Sequence, residues 1–147
     1  MIGVAAKRIF FRLLPVLLLV LAAAAWFNDV QEGGLYVARN LLPPLMIVLL
    51  SALTLIRGDG RWTGSGWWMP LGTLGFAVPT IGLSAYLHYA YSVNLDGMFD
   101  AGGGQLFRYL PFYTFGAGSI GFAIGWIVGR KVWCDTGLIQ SAIFLLG

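Results

Sequence analysis

Polar and apolar positions fall into long blocks along this chain. Four apolar stretches, approximately residues 9–27, 35–56, 67–91 and 109–129, each come close to the roughly 20 residues that a helix needs to cross a hydrocarbon core. Short polar connectors separate them. The first holds Asn28, Asp29, Gln31, Glu32 and a Gly33-Gly34 pair, the second runs from Arg57 through Asp59 and Arg61 to Gly66, and the third contains Asp96, Asp100 and three consecutive glycines. Glycine and polar clusters of this kind break helices and make turns. The pattern predicts an all-α polytopic membrane protein: one transmembrane domain over 1–147, a bundle of four transmembrane helices, then a short apolar interfacial segment at 137–147.

The second stretch carries Pro43-Pro44, which removes two backbone donors and disfavours a helical conformation at Leu42. A regular helix starting at Pro43 is too short to cross alone, so residues 35–42 are expected to form a short turn or half-helix meeting it at a kink, with Arg39 and Asn40 near the outer interface. Broken helices with polar residues at the break line substrate sites in transporters. The plainer reading is that proline starts the helix and Arg39 reaches back to the headgroups.

In the third stretch Thr73, Ala77, Thr80, Ser84, His88 and Tyr91 recur at helical spacing and share one face, small and polar. In the fourth, Ala117, Gly121, Gly125 and Gly129 repeat every four residues, the small-residue pattern that lets backbones approach closely in lipid. Joined by a connector over 92–108, the two helices are expected to be antiparallel neighbours, with Pro79 kinking the third. Thr80 and Ser84 are expected to hydrogen-bond in the seam; the competing use of the glycine face is a homodimer contact.

Charge orients the chain. Lys7, Arg8, Arg12, Arg57, Arg61, Arg130 and Lys131 fall on one side and Arg39 and Arg108 on the other, a net +5 against −2 once Asp59 and Asp135 are set against Asp29, Glu32, Asp96 and Asp100. The basic side faces the cytoplasm, which puts both ends inside and suits a bacterial inner membrane. Trp62, Trp67, Trp68, Trp126 and Trp133 then lie at the inner boundary, and Trp26, Tyr86, Tyr89, Tyr91, Tyr109 and Tyr113 at the outer one. The first stretch also reads as a secretory signal, with Lys7 to Arg12 ahead of an apolar run and Ala22 to Ala25 as a cleavage site. Cleavage would leave three helices.

Composition agrees with a bilayer setting: 59% of the 147 residues are hydrophobic and only 10% charged, against roughly 25% charged in an ordinary soluble domain. The formal charge of +3 is scattered at helix ends and forms no basic stripe, which argues against a nucleic-acid partner. His88 is the only histidine and the only ionisable group well inside the third stretch, making it a candidate for cofactor binding. The bland reading is an interfacial polar group among Tyr86, Tyr89 and Tyr91. No metal site is expected, because the chain offers one Cys and no second His, and no cofactor is assigned.

Other motifs fail on context. Gly116 to Gly121 matches GxGxxG but lies inside an apolar helix rather than after a strand. Ser119 lacks the glycine two residues before it that a nucleophile elbow requires. Asp96 and Asp100 sit in a glycine-rich loop that fixes no geometry, and Cys134 is a lone thiol beside basic residues, where palmitoylation occurs. The segment 137–147 is apolar on nearly every helical face yet too short to span, so it must lie in the interface, tuck against the bundle, dock into another subunit or begin a fifth helix.

Three functions fit this reading. The leading one is a non-catalytic subunit or assembly factor packing against larger membrane partners. The second is a small oligomeric transporter or channel with a site near the broken second helix and the polar face of the third, where Arg39, Asn40 and His88 are the candidate polar residues. The third, a membrane enzyme acting on lipid, lacks a convincing reactive cluster. Membrane lipids, and a membrane-protein partner or a second copy, are the expected company.

Overall fold

The computed structural model describes residues 2–32, 34–57, 63–64, 68–97, 99 and 105–146, of which 2–5 and 132–146 are described as backbone only. The described residues form helices and turns: α1 (Ile2–Val30), α2 (Val37–Asn40), α3 (Leu42–Arg57), α4 (Leu71–Ser92), a 3-10 turn at Leu95–Gly97, and α5 (Leu106–Leu146). Among the described residues three segments are long and apolar enough to cross a membrane: Ala6–Val30, Val37–Arg57 and Leu106–Lys131, with mean hydropathies of 2.3, 1.7 and 1.3. The chain therefore has the build of a helical membrane protein.

The distribution of side chains has the same character. Among the described residues nine buried hydrophobic side chains are matched by nine buried polar ones, including Asn40, Thr73, Thr80, Ser84, His88 and Thr114, while Phe11, Leu21, Ile56, Val78 and Ile120 all stand more than 60% exposed. In water this arrangement would be unfavourable, because apolar surface would be solvated and polar groups desolvated together. In lipid the exposed apolar side chains have no reason to hide, and polar groups gain by facing one another.

α4 is not one of these three segments. Its 22 residues reach about 33 Å. It is also the central helix, packed against α1, α3 and α5, so its Thr, Ser and His side chains face protein. It starts at Leu71 rather than at 67, because Pro70 (φ −53°, ψ 137°) holds an extended conformation ahead of it. The free N–H of Gly72 donates to the Thr63 carbonyl at 2.7 Å, which satisfies one of the donors a helix start leaves open. Its far end closes with Val93 donating to Tyr89 and Asn94 to Tyr91, after which Asn94 and Asp96 take left-handed conformations (φ 44° and 55°).

The break around the paired prolines is slight. α2 and α3 are separated at Leu41, whose backbone stays right-handed helical (φ −81°, ψ −15°), and the Leu45 N–H still reaches the Leu41 carbonyl at 3.0 Å. Pro43 and Pro44 lie in the first turn of α3, where their missing N–H groups have no helical acceptor to lose. Both are buried.

α4 and α5 form the closest pair. They run antiparallel, with Leu71 opposite Gly125, Gly75 opposite Gly121, and Thr80 opposite Gly118 and Thr114. A methyl group added at Gly121 would collide with the Gly75 carbonyl oxygen and stand 2.8 Å from Pro79 Cγ; one added at Gly75 would collide with the Gly121 carbonyl oxygen. Pro79 has no N–H to give the carbonyl four residues earlier, so the Gly75 oxygen is left over by its own helix. The bare α-carbon of Gly121 covers it, in the geometry of a weak Cα–H···O contact. Farther along, Gly64 approaches Gly129 so closely that a Cβ on Gly64 would sit 3.2 Å from the Gly129 α-carbon.

α5 is one helix of 41 residues, about 60 Å long and twice what the hydrocarbon core requires. The apolar segment after Gly137 is thus the continuation of the fourth long helix and not a separate element. No proline follows Pro111 to interrupt it, and glycine alone weakens a helix without stopping it.

Candidate functional site

Polar side chains converge at the end of the bundle where α1 stops and α5 starts. His88, one turn before the end of α4, is completely buried. Its ring stacks on Phe27 of α1 with centroids 3.8 Å apart and planes 11° from parallel. Phe107 of α5 at 4.9 Å and Trp26 of α1 at 6.2 Å complete an aromatic enclosure. The ring has no open face.

The two ring nitrogens are both engaged, and one contact fixes the other. Nδ1 lies 2.7 Å from the Ser84 carbonyl oxygen, which can only accept, so Nδ1 carries a hydrogen and donates. In the neutral ring Nε2 is then an acceptor, and Gln31 Nε2 donates to it at 2.8 Å. Gln31 Oε1 in turn accepts from Asn40 Nδ2 at 3.3 Å. The result is a relay of direction from the backbone of α4 through His88 and Gln31 to α2. Asn40 Oδ1, at its far end, is buried and has no hydrogen-bond partner.

Local backbone geometry brings Gln31 there. The α1 helix ends with the Gln31 N–H donating to the Phe27 carbonyl at 3.1 Å, so Gln31 stays in register one turn beyond the residue that stacks on His88. Glu32 then turns left-handed (φ 50°), and the Gly34 N–H returns to the Gln31 carbonyl at 2.9 Å. This tight turn starts the chain back towards α2.

Beside Gln31 a cavity of about 430 Å³ opens at the same end of the bundle. Gly34, Leu35 and Tyr36 form one wall, and Tyr91, Gln105 and Phe107 the other. None of these side chains is charged. Leu35 stands 96% exposed at its rim.

The candidate residues read from sequence are distributed unevenly over this geometry. Asn40 and His88 are joined, but through Gln31, which sequence reasoning left among the turn residues of the first connector. The signal for it was indirect: a buried histidine needs partners for both nitrogens, and the nearest polar supply by topology is the end of the preceding helices. Arg39 is not part of the cluster; its guanidinium lies 5.0 Å above the Phe112 ring of α5. His88 faces the interior of the bundle, whereas Tyr86 and Tyr89 stand 57% and 54% exposed; Tyr91 meets the same Phe107 ring that packs on His88.

In the seam, Thr80 Oγ1 donates to the Thr114 carbonyl at 3.3 Å, while Thr114 Oγ1 turns back to the Leu110 and Pro111 carbonyls of its own helix. Ser84 is buried and contributes its backbone carbonyl to His88. Gly121, Gly125 and Gly129 line the α5 side, with Gly118 fully buried against Thr80 and Phe76; Ala117 is only half-buried. Among the described residues no three His, Cys, Asp or Glu side chains come together as a metal would need. Cys134, Asp100 and residues 101–104 lie outside the described side chains, as do Trp62, Trp67 and Trp133.

The chain matches no known protein family, no curated protein and no solved structure. Function must therefore be argued from the geometry.

Proposed function

We propose that this chain is a non-catalytic integral membrane subunit, or an assembly factor, that crosses a bacterial inner membrane four times and docks a larger membrane protein through the extension of α5. The crossings are α1, α2 with α3, α4 and α5, and the basic flanks at Lys7 to Arg12, Arg57, and Arg130 with Lys131 favour the cytoplasmic side for both ends. The observation that carries the reading is the length of α5. Beyond Lys131 the helix continues through Leu138, Ile139, Ala142, Ile143 and Leu146, an apolar stretch past the point where basic residues mark the headgroups. Such a stretch needs a cover other than water. The glycine face of α5 is already occupied by α4, so a second helix pressed on that face is a poorer reading than a partner meeting the extension.

The oligomeric transporter draws less support. His88 is sealed by three aromatic rings and both its nitrogens are used, and Arg39 is held on Phe112 away from it. An enzyme acting on lipid would need a reactive group at an interface, whereas His88 and Asn40 are buried and joined through Gln31.

Photocrosslinking in native membranes tests the proposal. A crosslinker placed at Ile139 or Ile143 is expected to join the chain to one membrane protein of defined mass, and deletion of 138–146 is expected to release the chain from that complex in mild detergent. Crosslinks to lipid only, or a complex unchanged by the deletion, would overturn it.

A further inference from the structure

We infer that the cavity beside Gln31 binds the head group of an uncharged, flat-ringed membrane amphiphile bearing carbonyl or hydroxyl oxygens, a quinone or quinol in chemical class. The inference does not depend on the docking role of α5.

Four observations select this ligand. The volume of about 430 Å³ falls in the range of small-molecule pockets and admits one substituted ring. The walls carry no charge, which disfavours ions and zwitterionic headgroups, since an ion moved here would lose hydration without a counter-charge. Tyr36, Tyr91 and Phe107 offer aromatic surface from three different elements, suited to a planar ring. Tyr91 and Phe107 already meet edge to face at 4.9 Å, so the wall is built before any ligand arrives.

Gln31 supplies the polar contact. A primary amide has two N–H groups and two acceptor sites on its oxygen. His88 takes one N–H and Asn40 fills one acceptor site, which leaves one donor and one acceptor on a residue that also lines the cavity. A quinone carbonyl can accept from that N–H, and a quinol hydroxyl can donate to that oxygen. The amide cannot flip to suit, because exchanging its ends would turn its oxygen towards an Nε2 that is itself an acceptor. His88 and Asn40 are thus positioning residues: they hold Gln31 in one orientation without touching the ligand. Gln105, exposed on the opposite wall, offers a second amide.

The source of the ring is decided by its tail. Exposed Leu35 at the rim and the girdle of exposed Trp26, Tyr86, Tyr89, Tyr109 and Tyr113 at this end of the bundle place the cavity at interfacial depth, where a tailed quinone resides.

The experiment is a titration of the full chain in quinone-free lipid nanodiscs with decylubiquinone, decylubiquinol and tail-less menadione. Binding is read from quenching of Trp26, taken as the difference between the unmodified chain and Trp26→Phe. Saturable quenching by the tailed compounds is expected. Gln31→Ala should weaken it about tenfold or more, as loss of one or two hydrogen bonds implies, and Gln105→Ala severalfold. Gln105 lies outside the His88 contacts, so its variant keeps the test open should Gln31→Ala fail to fold. Absence of saturable quenching, or unchanged affinity in both variants, would overturn the site. Equal affinity for menadione and the tailed compounds would overturn the membrane source.

Discussion

The two ends of α4 are held by opposite means. Towards its start, α4 meets α5 backbone to backbone, and Gly72, Gly75, Gly121 and Gly125 leave no room for a single added methyl. Towards its end, side chains do all the joining: a histidine stacked on one phenylalanine, tilted against another and bonded to a glutamine from 57 residues earlier. The first region is governed by volume and tolerates any chemistry small enough; the second is governed by donor and acceptor matching and tolerates little change of chemistry. In lipid, where apolar burial scarcely drives helix association, these are the two available ways of making helices prefer each other to solvent.

Breaking the volume rule should have the largest effect. Gly121→Leu forces a side chain against the Gly75 carbonyl and Pro79, neither of which can move without displacing α4. A loss exceeding the usual overpacking cost of about 1–3 kcal/mol is expected, read as an early unfolding midpoint in an SDS titration. A variant that unfolds like the parent chain would mean the helices are not packed this closely.

Breaking the matching rule comes next. His88→Ala removes the stack on Phe27 and leaves the Gln31 amide without its acceptor. About 2–4 kcal/mol should be lost, from the cavity and the orphaned donor together. His88→Phe fills the space without restoring the acceptor, so it should recover only part of the loss. Full recovery would show that stacking alone matters.

Thr80→Val sharpens the comparison at the seam. It keeps the volume and deletes one hydrogen bond of 3.3 Å to Thr114, for an expected cost of about 0.6 kcal/mol. The smallest effect belongs to Gly82→Ala and Gly116→Ala, glycines of the same two helices with nothing within 4 Å of an added Cβ. Their midpoints should stay level or rise by up to about 1 kcal/mol, because alanine is the better helix former. A large loss there would show that glycine content, and not position, sets the stability.

Much of the frame was legible along the chain. Each of the four apolar stretches contributes a long helix, although the second is divided at Leu41 between α2 and α3 and the helix of the third starts only at Leu71, because an apolar run in lipid can satisfy its backbone only internally. The polar face of α4 and the glycines of α5 were visible as periodicities, which depend on residues a few positions apart. Phase was less legible: the seam uses Gly118 with Gly121, Gly125 and Gly129, and a helix with glycines also at 116 leaves several registers equally small. That α5 runs unbroken through Gly137 was hidden too, since the basic pair Arg130-Lys131 reads as the end of the fourth stretch and the apolar residues after Gly137 as a separate interfacial segment.

The sequence by itself determined which segments are helical, which faces are small or polar, and which flanks carry the positive charge. Only the tertiary structure decided what those faces meet. It enclosed His88 in rings from α1 and α5, gave its second nitrogen to Gln31, drew Asn40 in and left Arg39 out. The reason is range: periodicity is written in neighbours three and four apart, whereas a hydrogen-bond partner is chosen by which distant segment arrives with the right atom at the right angle.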